Sequence, residues 1–417
     1  MSKMSMITLP LEELCDEMFS GGTPSTSNPA FWDGPFNWLS SGETRTDFIH
    51  ETEKTITSEA IAKSSTKLAK KDDIVMASAG QGKTRGQTSL LMINTYINQS
   101  VIAIRPNAKI NNKYLYYFLK SKYDNLRVSS DGSSIRGSIT AKDLKSFAVK
   151  YPQQHTNQLK IANVLYSYDN LIEINNRRIA ILEEMEQKLY REWFVHFHFP
   201  RRENVKMVES EMGMIPEGWK VDTIEKNTTL LRRGITPKYD DSASKIVVNQ
   251  KCVRNYLVDM GAARKQSKDY SPELNLQCGD VLINSTGAGT LGRVGQFFES
   301  MADTTVDSHV TIVRPLKSCI CYIGAILKSL QSELMDMGVG STNQTELNRD
   351  LIKSISIVIP TDELLGIFER TVYSWMTLKN QLVSKNINLR KTRDLLLPRL
   401  ISGDIDVSEL DIPIKEG

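Results

Sequence analysis

The sequence predicts an α+β protein made by tandem duplication of a mixed α/β globular unit, each copy followed by a long helix. Three observations predict this fold. Matched segments recur about 208 residues apart, a heptad seam follows each copy, and short apolar runs alternate with glycine-rich turns inside each copy. We expect the two helices to pack on each other as an antiparallel coiled coil.

The duplication is visible in the order and spacing of matched segments. Residues 73–82, with glycines at 80 and 82, align with residues 280–289. Residues 101–106 (VIAIRP) align with residues 310–315 (VTIVRP), and the register is held throughout the unit. Self-similarity on this scale indicates two structurally equivalent units in one chain.

Each globular unit mixes strands with helices. Runs rich in apolar and β-branched residues at 73–76, 101–104 and 355–359 predict buried strands. Residues 114–120 and 322–330 have the spacing of helices. The pattern leaves the order of the strands open.

Two long helices are predicted from Ile161 to Trp193 and from Leu365 to Leu396. Pro152 and Pro200 bracket the first, and Pro360 and Pro398 bracket the second. Alternating steps of three and four residues place a narrow stripe on each helix, and such a stripe faces a partner helix. The residues expected to pair the helices are Ile161, Leu165, Ile172, Ile179, Leu182, Leu189, Val372, Leu382, Leu389 and Leu396.

Polar residues also occupy seam positions. Asn175 and Asn386 are placed where a buried amide can fix the register of two helices. The charged residues Glu186, Lys379 and Arg393 are expected to be solvated or to face partner subunits. The chain is divided into a globular unit at 1–152, a helix at 153–198, a linker and second unit at 199–360, and a helix with a tail at 361–417.

Composition places the chain among folded soluble proteins. Of its 417 residues, 40% are hydrophobic and 24% are charged, and a net charge of +3 means that any basic surface must be local. The five cysteines lack paired metal spacing, which favours reduced thiols in a cytoplasm, and Cys319-Ile-Cys321 is expected to pack in a strand. We find no signal peptide or membrane-spanning run and expect a cytoplasmic protein without a membrane partner.

Glycine-rich loops at matched places carry the candidate binding residues. Glycine lets the backbone approach a phosphate closely, short polar side chains donate to phosphate or base edges, and arginine can contact guanine with two hydrogen bonds. Any one loop could equally be a solvated turn. The candidate DNA contacts are Thr23, Ser78, Gln81, Lys83, Arg85, Ser133, Ser134, Arg136, Arg232, Arg233, Thr236, Lys238, Arg293, Thr342, Asn343 and Gln344.

A loosened phosphate-loop pattern at 77–84 raises the alternative of a nucleotide-hydrolysing enzyme. A working loop needs a helix that begins at Lys83-Thr84, but Arg85-Gly86 is a poor helix start, and the second copy has no matching lysine. His196 and His198 lack further ligand spacing and are expected in a strand-like linker. We assign no metal and no catalytic residue.

Three segments of the sequence resemble those of a known family. The helix end at 189–194 (LYREWF), the re-entry at 213–219 (GMIPEGW) and the closing LLLPRLISGDI at 395–405 are similar to the specificity subunits of type I restriction-modification systems. The resemblance covers essentially the whole chain. It implies that each globular unit is a target recognition domain, reading one half of a split, asymmetric DNA site.

The resemblance also implies partners for a chain without catalysis of its own. The helices would dock two methylation subunits for adenine N6 methylation, and restriction subunits would complete the nuclease. S-adenosylmethionine, ATP and Mg²⁺ are then expected in the partners, and this chain binds none of them. A coiled-coil scaffold that binds only proteins is a further alternative.

The paired helices suggest a spacing device. Thirty-odd helical residues at about 1.5 Å each give roughly 50 Å, a little over one turn of B-DNA at about 34 Å. If the copies are related by an approximate two-fold axis, the helices run antiparallel and set the separation of two half-sites. Because the units differ outside the matched landmarks, the half-sites should differ too.

Overall fold

The computed structural model describes residues 4–80, 82–131, 138–299, 301–338 and 346–412. The chain forms two compact units. Unit 1 comprises Met1–Ile174 and Asn386–Gly417, and unit 2 comprises Asn175–Lys385. Each unit therefore contains a globular part, a portion of the central helix and a portion of the C-terminal helix.

Unit 1 is built on two sheets and a short strand pair. Its strands are β1 (Met6–Pro10), β2 (Cys15–Ser20), β3 (Trp32–Leu39), β4 (Phe48–Ile49), β5 (Lys54–Ile56), β6 (Lys67–Ala69), β7 (Ile74–Ala77), β8 (Thr88–Leu91), β9 (Thr95–Ile97), β10 (Val101–Pro106) and β11 (Ala148–Pro152). The sheet orders are β2-β10-β7-β8-β4, β5-β3-β9-β6 and β1-β11. All four residues of β7 are buried, as a continuous apolar run requires.

Three of the helices that follow these strands in the chain begin at a side-chain cap. The helices are α1 (Ser58–Ala62), α2 (Asn112–Ser121), α3 (Tyr123–Asp131), α4 (Ala141–Lys145) and α5 (His155–Tyr190). The Asn111 side chain accepts a hydrogen bond from the backbone N–H of Tyr114 at the start of α2. Thr140 and Asp143 form a capping box at α4.

Unit 2 repeats this plan with its own additions. Its strands are β12 (Met207–Ser210), β13 (Gly213–Pro216), β14 (Lys220–Thr223), β15 (Thr228–Arg233), β16 (Lys245–Val248), β17 (Val253–Arg254), β18 (Leu257–Val258), β19 (Arg264–Gln266), β20 (Val281–Asn284), β21 (Val294–Gln296), β22 (Thr304–Val306), β23 (Val310–Pro315) and β24 (Ser356–Ile359). The sheet orders are β15-β23-β20-β21, β19-β16-β22, β14-β24, β12-β13 and β17-β18. Its helices are α6 (Ile320–Ser329), α7 (Gln331–Asp336), α8 (Arg349–Lys353) and the first part of α9 (Asp362–Ser402).

The predicted strands and helices of the globular units are confirmed. The expected runs at 73–76, 101–104 and 355–359 correspond to β7, β10 and β24, and the two expected helices are α2 and α6. An ion pair with a buried aspartate also recurs in both units, because Arg105 donates to Asp73 at 2.9 and 2.8 Å and Arg314 donates to Asp280 at 2.8 and 2.8 Å. The duplication thus includes side-chain geometry as well as sequence.

The two long helices are antiparallel in each unit. In unit 1, Arg393 of α9 is bonded to Asp169 of α5, while Asn386 donates to the Ile172 carbonyl at 3.5 Å. Residue numbers rise along α5 as they fall along α9. In unit 2, Lys379 lies 3.3 Å from Glu183, and the rings of Phe368 and Trp193 are in contact. The predicted antiparallel pairing is confirmed.

The seam residues lie against both unit cores. Ile161 and Leu165 are buried in unit 1 with Leu396 packed nearby, and Leu189 packs on the core of unit 2, which contains Val372. A separate small cluster in unit 2 contains Ile179, Leu182 and Leu382. Ile172 is buried in unit 1, and Leu389 is half-buried there.

Charged seam residues are buried, and the expectation of solvation is wrong. The exposed fractions are 1% for Glu186, 3% for Lys379 and 9% for Arg393. Each has an ionic partner: Glu186 pairs with Lys328, Lys379 with Glu183, and Arg393 with Asp169. Burial is tolerable because every charge is compensated.

Three local expectations also need correction. Cys319 and Cys321 are buried at the start of α6, where helical packing replaces the expected strand. His196 and His198 follow a π-helical turn at Arg191–Val195 and lie outside any strand. Pro398 was expected to end the second helix, but it lies inside α9, which continues for one further turn.

Candidate nucleic-acid interface

A glycine turn joins β7 to β8 in unit 1. Its backbone closes as a hairpin, because Gly86 N–H donates to the Ala77 carbonyl at 2.9 Å and Ala77 N–H donates to the Gln87 carbonyl at 2.9 Å. Gly82, at the tip, has a φ of +63°, a left-handed conformation that favours glycine. The turn therefore presents backbone that side chains do not cover.

Unit 2 has the same turn between β20 and β21. Gly289 has a φ of +71°, and Gly292 N–H donates to the Asn284 carbonyl at 2.8 Å. In unit 1, Ser78 N–H donates to the Ser100 carbonyl at 2.9 Å, and in unit 2, Ser285 N–H donates to the His309 carbonyl at 2.8 Å. The two turns therefore share their backbone hydrogen bonds and a left-handed glycine.

A second glycine loop lies beside each turn. A Cβ added to Gly21 would overlap the carbonyl oxygen of Ile97, and one added to Gly234 would overlap that of Val306. The next residues are bonded to the same carbonyls, with Gly22 N–H at 3.1 Å from Ile97 O and Ile235 N–H at 3.0 Å from Val306 O. Only glycine permits this approach, so the matched loops are held against matched strand ends. In each unit, the glycine turn and this glycine loop together are called the glycine frame.

Four of the predicted DNA contacts in unit 1 lie at the glycine frame, and they differ in exposure. Lys83 is exposed beside Gly82, whereas Ser78 and Arg85 are buried. Thr23 is half-buried and its hydroxyl donates to Gln99. Lys83 is therefore the most accessible of the four for a phosphate.

The predicted residues of unit 2 also divide by exposure. Thr236 and Lys238 are exposed, and Arg232 is exposed but paired with Glu273. Arg233 is half-buried, bonded to Glu346 and to the Leu347 carbonyl. Arg293 is half-buried and donates to the Gly289 carbonyl at 2.7 Å, which braces the glycine turn.

The remaining predicted contacts lie outside the described residues. They are Gln81, Ser133, Ser134, Arg136, Thr342, Asn343 and Gln344.

A basic patch beside Lys238 was missed in the sequence. Segment 238–240 pairs with the edge of β19, through Ser267 N–H to Lys238 O at 2.8 Å and Asp240 N–H to Lys265 O at 3.2 Å. Arg264 lies 3.7 Å from the ring centre of Tyr239, and Lys268 Nζ is 3.1 Å from the Thr236 carbonyl. The run RKQSK at 264–268 is a visible basic signal, but only the fold brings it to the glycine loop.

A polar cluster at the unit 2 glycine turn was also missed. Gln250 Nε2 donates to the Thr286 hydroxyl at 2.7 Å, and that hydroxyl lies 2.8 Å from His309 Nδ1. His309 N–H donates to Asp307 Oδ1 at 2.9 Å. Burial raises the pKa of Asp307, an effect that the hydrogen bond from His309 N–H opposes. No sequence pattern links these residues, because they come from three separate loops.

The phosphate-loop alternative fails on local structure. After Lys83 and Thr84 the chain makes a second turn and then enters strand β8 at Thr88. A phosphate loop requires a helix there, with its N-terminal amides aimed at the nucleotide.

The described residues offer neither a metal site nor a membrane span. Within the described ranges, no group of three or more His, Cys, Asp or Glu side chains is placed to hold a metal ion. None of the described helices combines the length and apolar character needed to span a bilayer. The chemistry that this arrangement does offer is exposed cations, short polar donors and accessible backbone, the groups that contact phosphates and base edges.

Comparisons with known proteins agree with this geometry. Residues 6–184 match the family model of the type I restriction modification DNA specificity domain. The chain is 25% identical to the type I restriction enzyme MjaIX specificity subunit of Methanocaldococcus jannaschii, covering 94% of this chain and 92% of that one. It is 31% identical over 193 residues to the EcoR124I/EcoR124II specificity subunit of Escherichia coli, 45% of this chain and 47% of that one.

A solved structure has the same fold. The S subunit of a type I restriction-modification system from M. genitalium superposes with a TM-score of 0.63 at 15% identity, covering 95% of this chain and 96% of that one. Two globular units on paired antiparallel helices, each with the same glycine frame, define a duplicated α+β protein. Residues 6–184 match the DNA specificity domain of type I restriction-modification systems, and over nearly its whole length the chain is similar to a specificity subunit of such a system.

Proposed function

We propose that this chain is the non-catalytic DNA-reading subunit of a type I restriction-modification complex. Each globular unit reads one half of a split, asymmetric DNA site. The helices dock two methylation subunits that methylate adenine N6, and restriction subunits complete the nuclease. S-adenosylmethionine, ATP and Mg²⁺ belong to the partners, and the complex acts in the cytoplasm.

One observation carries the proposal. Both units have the same backbone frame of glycine turn and glycine loop, yet the side chains on it differ. His309 occupies the place of Ser100, because each carbonyl accepts from the matched serine N–H. A common frame with different donors is what two readers of two different half-sites require.

Electrostatics support DNA as the ligand despite the small net charge. Exposed cations lie directly at the frame, with Lys83 in unit 1 and Lys238, Arg264, Lys265 and Lys268 in unit 2. Cations that contact phosphates release counterions, which supplies affinity independent of sequence. The neutral donors nearby would then discriminate between bases.

Genome-wide mapping of N6-methyladenine tests the proposal. The chain is expressed with its neighbouring methylation subunit in a host without adenine methylation, and the control strain lacks only this chain. We expect a split, asymmetric methylated motif that disappears in the control. An assembled complex that binds S-adenosylmethionine and still produces no such motif contradicts the proposal.

Calorimetry separates the proposal from a nucleotide-hydrolysing enzyme. Titrating the isolated chain with ATP and Mg²⁺ should give no heat of binding, because strand β8 stands where a phosphate loop needs a helix. Saturable heat with a stoichiometry near one would assign nucleotide binding to this chain instead of to its partners.

A further inference from the structure

The polar cluster of unit 2 is held in one orientation. Gln250 Nε2 donates to both the carbonyl and the hydroxyl of Thr286, at 2.6 and 2.7 Å. Asn284 Nδ2 donates to the Gln250 carbonyl at 3.1 Å, which ties this loop to the end of β20. Thr286 is therefore fixed by a neighbour on a different loop.

These contacts suit one tautomer of His309. The Thr286 hydroxyl oxygen accepts from Gln250 and lies 2.8 Å from His309 Nδ1, so its own proton is available to donate to that nitrogen. A neutral imidazole that accepts at Nδ1 carries its proton at Nε2. His309 is exposed, so in this tautomer its Nε2–H is presented at the glycine turn.

The backbone of His309 is as well defined as its ring. Its N–H donates to Asp307 Oδ1 at 2.9 Å and its carbonyl accepts from Ser285 N–H at 2.8 Å. In unit 1 the same contacts join Ser100 N–H to Asn98 Oδ1 at 3.0 Å and Ser78 N–H to the Ser100 carbonyl at 2.9 Å. The position is shared by the two units, and the side chain on it is different.

We propose that Gln250, Thr286 and His309 form a base-reading element of unit 2, in which His309 Nε2–H donates to a purine acceptor in the major groove. Thr286 and Gln250 are positioning residues that act through the ring of His309. This inference rests on the proposed function of the chain and adds which residues discriminate between bases.

The chemistry favours a base over a phosphate for this donor. Phosphate contacts are made by cations, by polar side chains and by backbone N–H groups, and they need no fixed tautomer. Guanine N7 and O6 and adenine N7 are acceptors at fixed positions in the major groove, so an oriented neutral donor suits them. The cations near the unit 2 frame, such as Lys268, are exposed and suit the phosphates instead.

Binding profiles of the assembled complex test the inference. The chain with its methylation subunit is titrated with duplexes in which each base pair of both half-sites is changed in turn. We expect His309→Ala to lose roughly tenfold discrimination at one base pair of a single half-site. Thr286→Val, which keeps the shape but loses the bond to Nδ1, should cause a smaller loss at the same base pair.

Lys268→Ala is the matched control in the same unit. It should weaken binding to all duplexes alike and lower the salt dependence, with an unchanged base profile. Retained discrimination at the other half-site shows that each variant is folded and assembled.

Two outcomes would overturn the inference and are distinguishable. If the wild-type complex discriminates at both half-sites and His309→Ala has the same profile or a uniform loss, the element does not read a base, although the proposed function stands. If the wild-type complex discriminates at neither half-site, the proposed function fails as well.

Discussion

Unit 2 holds a fully buried ion pair between its globular part and the central helix. Lys328 Nζ lies 2.7 Å from Glu186 Oε1, and each side chain is only 2% exposed. Lys379 is buried close by, and burial lowers its pKa while Glu186 and Glu183 oppose that effect. Each charge is stable here only because its partner is present.

Removing one ion of this pair should destabilise the protein strongly. Lys328→Met leaves Glu186 buried without its partner, and we expect the free energy of unfolding to fall by about 3–5 kcal/mol. The double variant Lys328→Met with Glu186→Leu should recover most of that loss. Urea denaturation measures both effects. As a control, Lys353→Met breaks the much less buried pair with Glu225 and should cost only about 0–1 kcal/mol. Equal effects of Lys328→Met and Lys353→Met would contradict this interpretation.

Two cations at the glycine frames should respond differently to substitution. Lys83 is exposed, so Lys83→Ala should weaken DNA binding and reduce the slope of log affinity against log salt by about one. Arg233 is bonded to Glu346 and the Leu347 carbonyl, so Arg233→Ala should mainly lower the melting temperature. Binding isotherms at several salt concentrations measure the slope, with the exposed Lys226→Ala as control. An unchanged slope for Lys83→Ala would argue against a phosphate contact.

Residue environments were the least predictable feature of the sequence. Glu186 was expected to be solvated because a heptad position does not reveal a partner 142 residues away on another helix. Gln250, Thr286 and His309 were missed for the same reason, since three loops bring them together. Local patterns report which face a residue occupies, and tertiary contacts decide what it touches.

At the scale of elements, the loop at Gly21 depends on a close backbone approach. A methyl group there would overlap the Ile97 carbonyl oxygen, so Gly21→Ala must displace the loop or the strand end. We expect a lower melting temperature and weaker reading of one half-site. Gly42→Ala is the control in the same unit, because its nearest atom would be the Ser40 hydroxyl at 3.7 Å. Equal melting temperatures for the two variants would show that the approach is not needed.

Helices and strands with a strong pattern of apolar residues were predictable from the sequence, but their spatial arrangement was not. The seams predict α5 and α9, and apolar runs predict β7, β10 and β24, because burial of one face or both imposes those patterns. Short strands such as β17 and β18 pair over two residues only and leave no periodic signal. The continuation of α9 past Pro398 was missed because proline commonly ends a helix.

At the scale of the whole molecule, both helices take part in both units. α5 extends from unit 1 into unit 2, and α9 extends from unit 2 into unit 1. Inserting one heptad into α5 alone should disrupt the seam, whereas matched heptads in α5 and α9 should preserve it. We predict that the matched variant selects a longer spacer between its half-sites, measured by selection from duplexes with varied spacers. A folded matched variant with the original spacer preference would contradict the role of the helices as a ruler.

The duplication was the most predictable feature, because matched segments recur in the same order and at the same spacing in the sequence. Each landmark has a structural reason in both copies, such as the Asp73–Arg105 and Asp280–Arg314 pairs and the glycine turns. The side chains that differ on the common frame are the ones that the pattern could not interpret.

The proposed function requires two equivalent units to read two different half-sites independently. The most direct test exchanges residues 228–359 for the matching segment of another specificity subunit and maps N6-methyladenine across the genome. We predict that one half of the methylated motif changes while the other half and the spacer are retained. A chimera that assembles and methylates, but changes both halves or neither, would contradict the claim.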